Sequence, residues 1–312
     1  MSAPPPETRR IRAAIGSPAL ETVAGRAPAG VDVISLEGGV DLATVDFLVP
    51  TAMANRADRR TLLQVLPGLE RLAVVQTMSA GTDWIEDHVP PQATLCSARG
   101  ARDGSVAEWV FAALIGTTSR LLECARIHAW TERALGDLGA WTVLVVGMGS
   151  IGRMVEKRLV AFGTEVIGVA SHAGEDVHGI EELPALLPQV DAVVVLTPLT
   201  ESTRGLIGTA ELAALRDGAL LVNGARGPVV DTDALVRELE TGRLRAVLDV
   251  TDPEPLPDDH PLWSAPGLLS ITPHIAGNSP LSNAHAAELA AEQLVRWCAG
   301  QPLVNVVRAP AR

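Results

Sequence analysis

TVLVVGMGSIGRMVEKRLVAFGTEVIGVA, residues 142–170, decides the fold. TVLVVG (142–147) is a short β-branched run of the kind buried on both faces of a parallel sheet. GMGSIG (147–152) follows at once. RMVEKRLVAFG (153–163) then spaces Met154, Val155, Leu159 and Phe162 at helical intervals, and Gly163 stops it. EVIGVA (165–170) is the next strand, completing a βαβ unit. The glycines fit G-x-G-x-x-G after a strand and at the opening of a helix, the context that gives the pattern meaning. Gly147 permits the tight turn, Gly149 lets the backbone approach a pyrophosphate, and Gly152 allows close helix–strand packing. Ser150 and Ile151 open the helix, whose unpaired amides and positive dipole end face the phosphates. Without those flanks the same glycines would read as a turn of no function.

Downstream the alternation continues. IEELPALLPQV (180–190) is helical, shortened by its prolines, and DAVVVLTP (191–198) is a strand. ELAALRDG (211–218) is a helix and ALLVNGARG (219–227) a strand running into a polar loop. DTDALVRELETG (231–242) is a capped helix, and LRAVLDV (244–250) and LLSITPH (268–274) complete six strands. That order suits a doubly wound dinucleotide domain. Upstream, IRAAIG (11–16), VDVISL (31–36), VDFLVP (45–50), LAVVQTM (72–78) and ATLCS (94–97) suggest a smaller α/β unit. Two long apolar helices, 105–126 and 281–300, flank the dinucleotide segment. If the second helix and VNVV (304–307) return to the first unit, the nucleotide domain is an insertion. The expected boundaries are 1–100 with 281–312 for the outer domain and 101–280 for the inner one.

A length of 312 residues fits two domains, each able to bury a core. The formal charge of −12 removes the electrostatic footprint that nucleic acid or an anionic membrane requires, so neither is expected as a partner. Cys96, Cys124 and Cys298 lie far apart with no CxxC, and MSAPPPETRR lacks the apolar core of a leader. The most apolar runs, such as 143–147 and 192–196, fall far short of the ~18 residues of a membrane span. A soluble protein of the reducing cytoplasm is expected.

The acidic residue that usually holds a ribose about 20 residues beyond the glycines is missing. The second strand ends Val169-Ala170-Ser171-His172, and Glu175 and Asp176 come only after Gly174. Three readings stay open: a different ribose contact, a site opened for a 2′-phosphate, or a fold retained without a dinucleotide. Arg226, Glu254 and His274 each stand at the end of an expected strand, where open α/β sheets bind ligands. Arg can clamp a carboxylate in two places, and a Glu beside a His favours the imidazolium that donates a proton. Singly, each reads as a surface ion pair or a structural histidine. Their shared location points to an anion-binding, acid–base set. His88, His128, His172, His178, His260 and His285 show no metal-ligand spacing, so no metal is expected.

At this point the chain resembles the D-isomer-specific 2-hydroxyacid dehydrogenases, from about Ser79 to Asn305. MSAGTDWI (78–85) is similar to the loop whose amides hold the substrate carboxylate, and VAEWVFAALI (106–115) to the helix that crosses between domains. VLVVGMGSIG is the nucleotide fingerprint. VNGARGPVVD (222–231), LDVTDPEPLP (248–257) and ITPHIAG (271–277) match the motifs of the substrate arginine, the glutamate and the catalytic histidine. The resemblance implies a Rossmann domain inserted in a flavodoxin-like substrate domain, and a homodimer built on the long helices. It implies that Arg226 binds the 2-oxo acid with Ser79, Ala80 and Gly81 assisting. His274 protonates the carbonyl oxygen as hydride arrives, and Glu254 orients and charges His274. Gly147, Gly149, Ser150, Ile151, Gly152, Ser171, His172, Thr197, Pro198, Ala225, Asp249 and His274 fall on the cofactor side, with Asp249 near the nicotinamide amide. Ala170 stands where many members keep Asp, which leans the cofactor toward NADP(H), or toward NADP and NAD alike. The implied activity is a glyoxylate- or hydroxypyruvate-reductase-like one. A nucleotide-sensing corepressor of the same fold, and a formate- or phosphite-oxidising relative, are the alternatives.

Overall fold

A computed structural model describes residues 10–50, 56–128, 130 and 132–311. The amino-terminal stretch read for a leader lies, apart from Arg10, outside the described residues. The chain forms two compact units, one from residues 1–102 and 278–312 and the other from 103–277.

The first unit contains strands β1 (Ile11–Ile15), β2 (Val31–Ser35), β3 (Phe47–Val49), β4 (Val74–Gln76) and β5 (Thr94–Cys96). They lie in the order 2-1-3-4-5, all parallel, which is the flavodoxin-like arrangement. The second unit contains β6 (Thr142–Val146), β7 (Glu165–Ala170), β8 (His178–Gly179), β9 (Ala192–Val195), β10 (Leu220–Asn223), β11 (Arg245–Leu248) and β12 (Leu268–Ile271). Its parallel sheet runs β12-β11-β10-β9-β6-β7-β8, a Rossmann order with one extra strand. The two-residue β8 was not among the six expected strands. After the last helix, Pro280–Cys298, the chain enters β13 (Val306–Arg308), antiparallel to β5 in the first sheet.

Alternation explains why the second sheet is buried on both faces. Val143 and Val145 of β6 pack with Ala107, Val110, Leu114, Val155 and Leu159, while Leu144 and Val146 pack with Leu183, Leu212 and Leu235. In the first unit Ile15, Phe47 and Val74 meet Ala286, Ala290, Leu294 and Trp297 of the last helix. Gln293, fully buried there, donates to the Val304 carbonyl at 2.8 Å and accepts from its amide at 3.0 Å. Those bonds pay the desolvation of the amide and steer the chain into β13.

The expected helix 105–126 is broken. A helix spans Asp103–Thr118, Arg120 turns left-handed (φ 56°), and a short helix resumes over Leu121–Cys124. The hydroxyls of Thr117, Thr118 and Ser119 donate back to the carbonyls of Ala113, Leu114 and Ile115. Such back-bonding weakens the last turn of a helix, which the apolar periodicity does not register. Among the described residues no helix is long and apolar enough to cross a membrane.

Candidate active site

The second sheet places most of the expected residues past the carboxyl ends of its strands. In the order of the sheet, His274 follows β12, Asp249 and Glu254 follow β11, and Ala225 and Arg226 follow β10. Thr197 and Pro198 follow β9, the glycine turn follows β6, and Ser171 and His172 follow β7. Open α/β sheets bind ligands along that edge.

Arg226 is held by a turn whose key residue the sequence reading overlooked. The buried Asn223 accepts from the Ala225 amide at 3.0 Å and donates to the Arg226 carbonyl at 3.1 Å. Gly227 then passes so close to the β11 loop that a Cβ there would stand 2.0 Å from the Thr251 carbonyl oxygen. Only glycine permits that approach, and it sets the loops of Arg226 and Glu254 side by side. The Arg226 side chain is half-buried and donates to its neighbour's carbonyl, Ala225 O, at 2.8 Å.

His274 and Glu254 meet. Nδ1 of His274 lies 2.8 Å from Oε1 of Glu254. A carboxylate only accepts, so Nδ1 carries the proton in this pair and Nε2 remains for proton exchange. The His274 backbone is left-handed (φ 56°), a conformation that costs an L-residue about 1–2 kcal/mol and persists only where its surroundings enforce it. Asp249 supplies the enforcement. It is buried, and its carboxylate accepts from Thr272 Oγ1 at 2.6 Å, the Ile275 amide at 2.9 Å and the Ala276 amide at 3.0 Å. Its carbonyl accepts the His274 amide at 2.8 Å.

The glycine turn fits a dinucleotide. Gly147 (φ 111°) would bring a Cβ to 2.7 Å from the Leu196 backbone, and Gly152 would bring one to 2.3 Å from the Gly147 carbonyl oxygen. In contrast, nothing lies within 4 Å of a Cβ at Gly149, the position facing the start of the helix Ser150–Ala161. That is the open cradle a pyrophosphate requires. The Thr197 hydroxyl on the adjacent strand end is buried with no partner among the described residues. Ser150 and Ile151 form the first turn of that helix. Ser171 and His172 are exposed, their Oγ and Nδ1 atoms 3.1 Å apart. Arg153, which could reach a 2′-phosphate, pairs with Glu156 at 3.1 Å. It lines an open cavity with Glu175, Asp176 and His178.

Ser79, Ala80 and Gly81 belong to the first unit, on the loop after β4. The loop is fixed from within: Ser79 Oγ donates to the Gly81 carbonyl at 2.8 Å, and the Ser79 carbonyl accepts from the Ala98 amide at 2.9 Å. Arg102 Nε donates to the Met78 carbonyl at 2.7 Å, and burial holds its guanidinium below the usual arginine range.

The chain is similar to known proteins over most of its length. The family model described as "D-isomer specific 2-hydroxyacid dehydrogenase, NAD binding domain" matches residues 111–276. A glyoxylate reductase of Thermofilum pendens is 32% identical over 259 residues, 76% of this chain and 75% of the relative. The crystal structure of a D-isomer specific 2-hydroxyacid dehydrogenase from Xanthobacter autotrophicus Py2, in complex with NADPH and MES, is 28% identical. Its TM-score is 0.78, with 96% of this chain and 98% of that one covered. An NADPH-dependent glyoxylate/hydroxypyruvate reductase of Sinorhizobium meliloti, in complex with NADP and sulfate, is 25% identical. It superposes with a TM-score of 0.80 over 96% of this chain and 98% of that one. The chain therefore belongs to the D-isomer specific 2-hydroxyacid dehydrogenases, NAD(P)-dependent oxidoreductases with two parallel-sheet α/β domains.

Proposed function

We propose that the protein reduces small 2-oxo acids, glyoxylate and hydroxypyruvate among them, to 2-hydroxy acids with NADPH or NADH. The 2.8 Å pair between His274 and Glu254, on a strained turn at the carboxyl edge of the sheet, carries this reading. The bound nicotinamide supplies the hydride. The chain supplies the rest. Arg226 clamps the carboxylate and polarises the carbonyl, His274 delivers the proton from Nε2 to the carbonyl oxygen, and Glu254 holds the imidazole through Nδ1. Ser79, Ala80 and Gly81 offer the substrate carboxylate their amides, so residues 1–100 and 281–312 act as the substrate domain and 101–280 as the dinucleotide domain. Ser150, Ile151, Thr197, Pro198, Ala225 and Asp249 belong with the glycines to the cofactor side.

A homodimer is supported by large apolar side chains left exposed in the second unit, Leu121, Trp130, Leu135, Val160 and Phe162. A cytoplasmic setting is supported by three unpaired cysteines.

NADPH is expected to serve at least as well as NADH. An Asp at the tip of β7 would repel a 2′-phosphate by roughly 1–4 kcal/mol at about 4 Å, equivalent to about fivefold to several hundredfold discrimination. Ala170 imposes none of it. Positive recognition is modest, because Arg153 is shared with Glu156. The test is a steady-state screen of glyoxylate, hydroxypyruvate, pyruvate and bulkier 2-oxo acids with both cofactors. Turnover of small 2-oxo acids supports the reading, and cofactor binding without consumption would identify a sensor instead. Oxidation of formate or phosphite alone would assign a different substrate class. A preference for NADH above about tenfold would contradict the cofactor argument. Ala170→Asp is expected to move the ratio toward NADH.

A further inference from the structure

We propose that Thr272 is a positioning residue for proton transfer: its hydroxyl, bound to Asp249, holds the left-handed turn that presents His274 to Glu254. This rests on the reductase reading above. β11 and β12 are parallel neighbours, and the Thr272 amide still continues their ladder by donating to the Leu248 carbonyl at 2.9 Å. Pro273, on the open edge of the sheet, has no amide hydrogen to donate. Around it, the chain from Thr272 to Ala276 makes four bonds to the single residue Asp249. Thr272 Oγ1 and the Ile275 amide reach Oδ1, the Ala276 amide reaches Oδ2, and the His274 amide reaches the carbonyl. The donors bracket His274 on both sides, which is what a φ of 56° at a residue with a side chain needs.

Three of the four donors are backbone amides, available whatever residue occupies the position. The fourth is a side chain. At 2.6 Å the Thr272–Asp249 contact lies in the range of a charge-assisted O–H···O bond. The carboxylate that the family resemblance places near the nicotinamide amide is thus committed to the histidine loop. Its partner Thr272 lies two residues before His274, outside any contact with the Glu254 carboxylate that the structure records.

The test compares Thr272→Val, which keeps the shape and removes the hydroxyl, with Thr272→Ser, which keeps the hydroxyl. In Thr272→Val, kcat for 2-oxo acid reduction should fall about 10- to 100-fold, the scale of a small misplacement of a reacting group. KM for the 2-oxo acid and Kd for NADPH should stay within about threefold, since Thr272 itself bonds to neither the Arg226 turn nor the glycine cradle. Thr272→Ser should recover most of the loss. In the cofactor-free protein, nitrogen and proton NMR of His274 should show an exchange-protected Nδ1 proton in wild type and in Thr272→Ser, and its loss in Thr272→Val. Wild-type kcat together with a wild-type Nδ1 signal in the Val variant would overturn the proposal. So would a defect confined to KM or Kd, or a Ser variant as impaired as Val. If wild type reduces no 2-oxo acid, the reductase reading fails separately, and the Nδ1 signal alone decides whether the hydroxyl holds the turn. Asp249→Asn provides the second variant: it keeps the size but turns one acceptor into a donor, and it should lose the same Nδ1 signal.

Discussion

Replacing His274 by alanine is expected to lower kcat for 2-oxo acid reduction about 10²–10⁴-fold while leaving NADPH binding within about twofold, because a positioned general acid typically contributes that much. The imidazole is bonded through Nδ1 to Glu254 at 2.8 Å, so its other nitrogen faces the task of proton delivery alone. In Glu254→Gln the charged acceptor of the Nδ1 proton is gone, so the ring is held less firmly and kcat should fall about 10- to 100-fold. Stopped-flow and steady-state rates of the two variants check both expectations. A kcat unchanged by Glu254→Gln would remove Glu254 from the proton pathway.

Arg226→Ala should cost kcat/KM for 2-oxo acids about 2–5 kcal/mol, the usual penalty for removing one member of a water-excluded charge pair, or roughly 30-fold to several thousandfold. The size follows from two duties, neutralising the carboxylate and drawing electrons from the carbonyl. Arg226→Lys should recover only part, since an ammonium cannot reproduce the planar fork. The turn itself should survive the change, because Asn223 holds it through the backbone of Ala225 and Arg226. Near-normal kcat/KM in the alanine variant, measured with glyoxylate or hydroxypyruvate, would remove Arg226 from substrate binding.

Residues 142–170 made the second unit legible because strand, glycine turn and helix there are all local, each written in its own periodicity. The succession of the other strands of that unit, β8 apart, followed from the same alternation. What the sequence hid was set by contacts across many residues. Asp249 and its donors at 272–276 are more than 20 positions apart, and no periodicity links them. Asn223 reads as one polar residue in VNGARG until its turn is seen to clamp Arg226. Gly227 reads only as part of the polar loop after ALLVN, yet its value is the close approach to Thr251. The break after Thr118 was hidden by the reverse effect: the apolar pattern ran on through Arg120, while hydroxyls that count as neutral in such a pattern bonded backward and ended the helix. β8, with two residues, is too short to carry any pattern.

The most direct test of the central claim is the chirality of the product when the wild-type protein reduces hydroxypyruvate with NADPH. One face of the carbonyl must receive hydride while Arg226 fixes the carboxylate and His274 delivers the proton to the oxygen. Stoichiometric NADPH consumption with formation of the D-isomer of glycerate is the predicted result. Formation of the L-isomer or a racemate, or no consumption with any small 2-oxo acid, would contradict it.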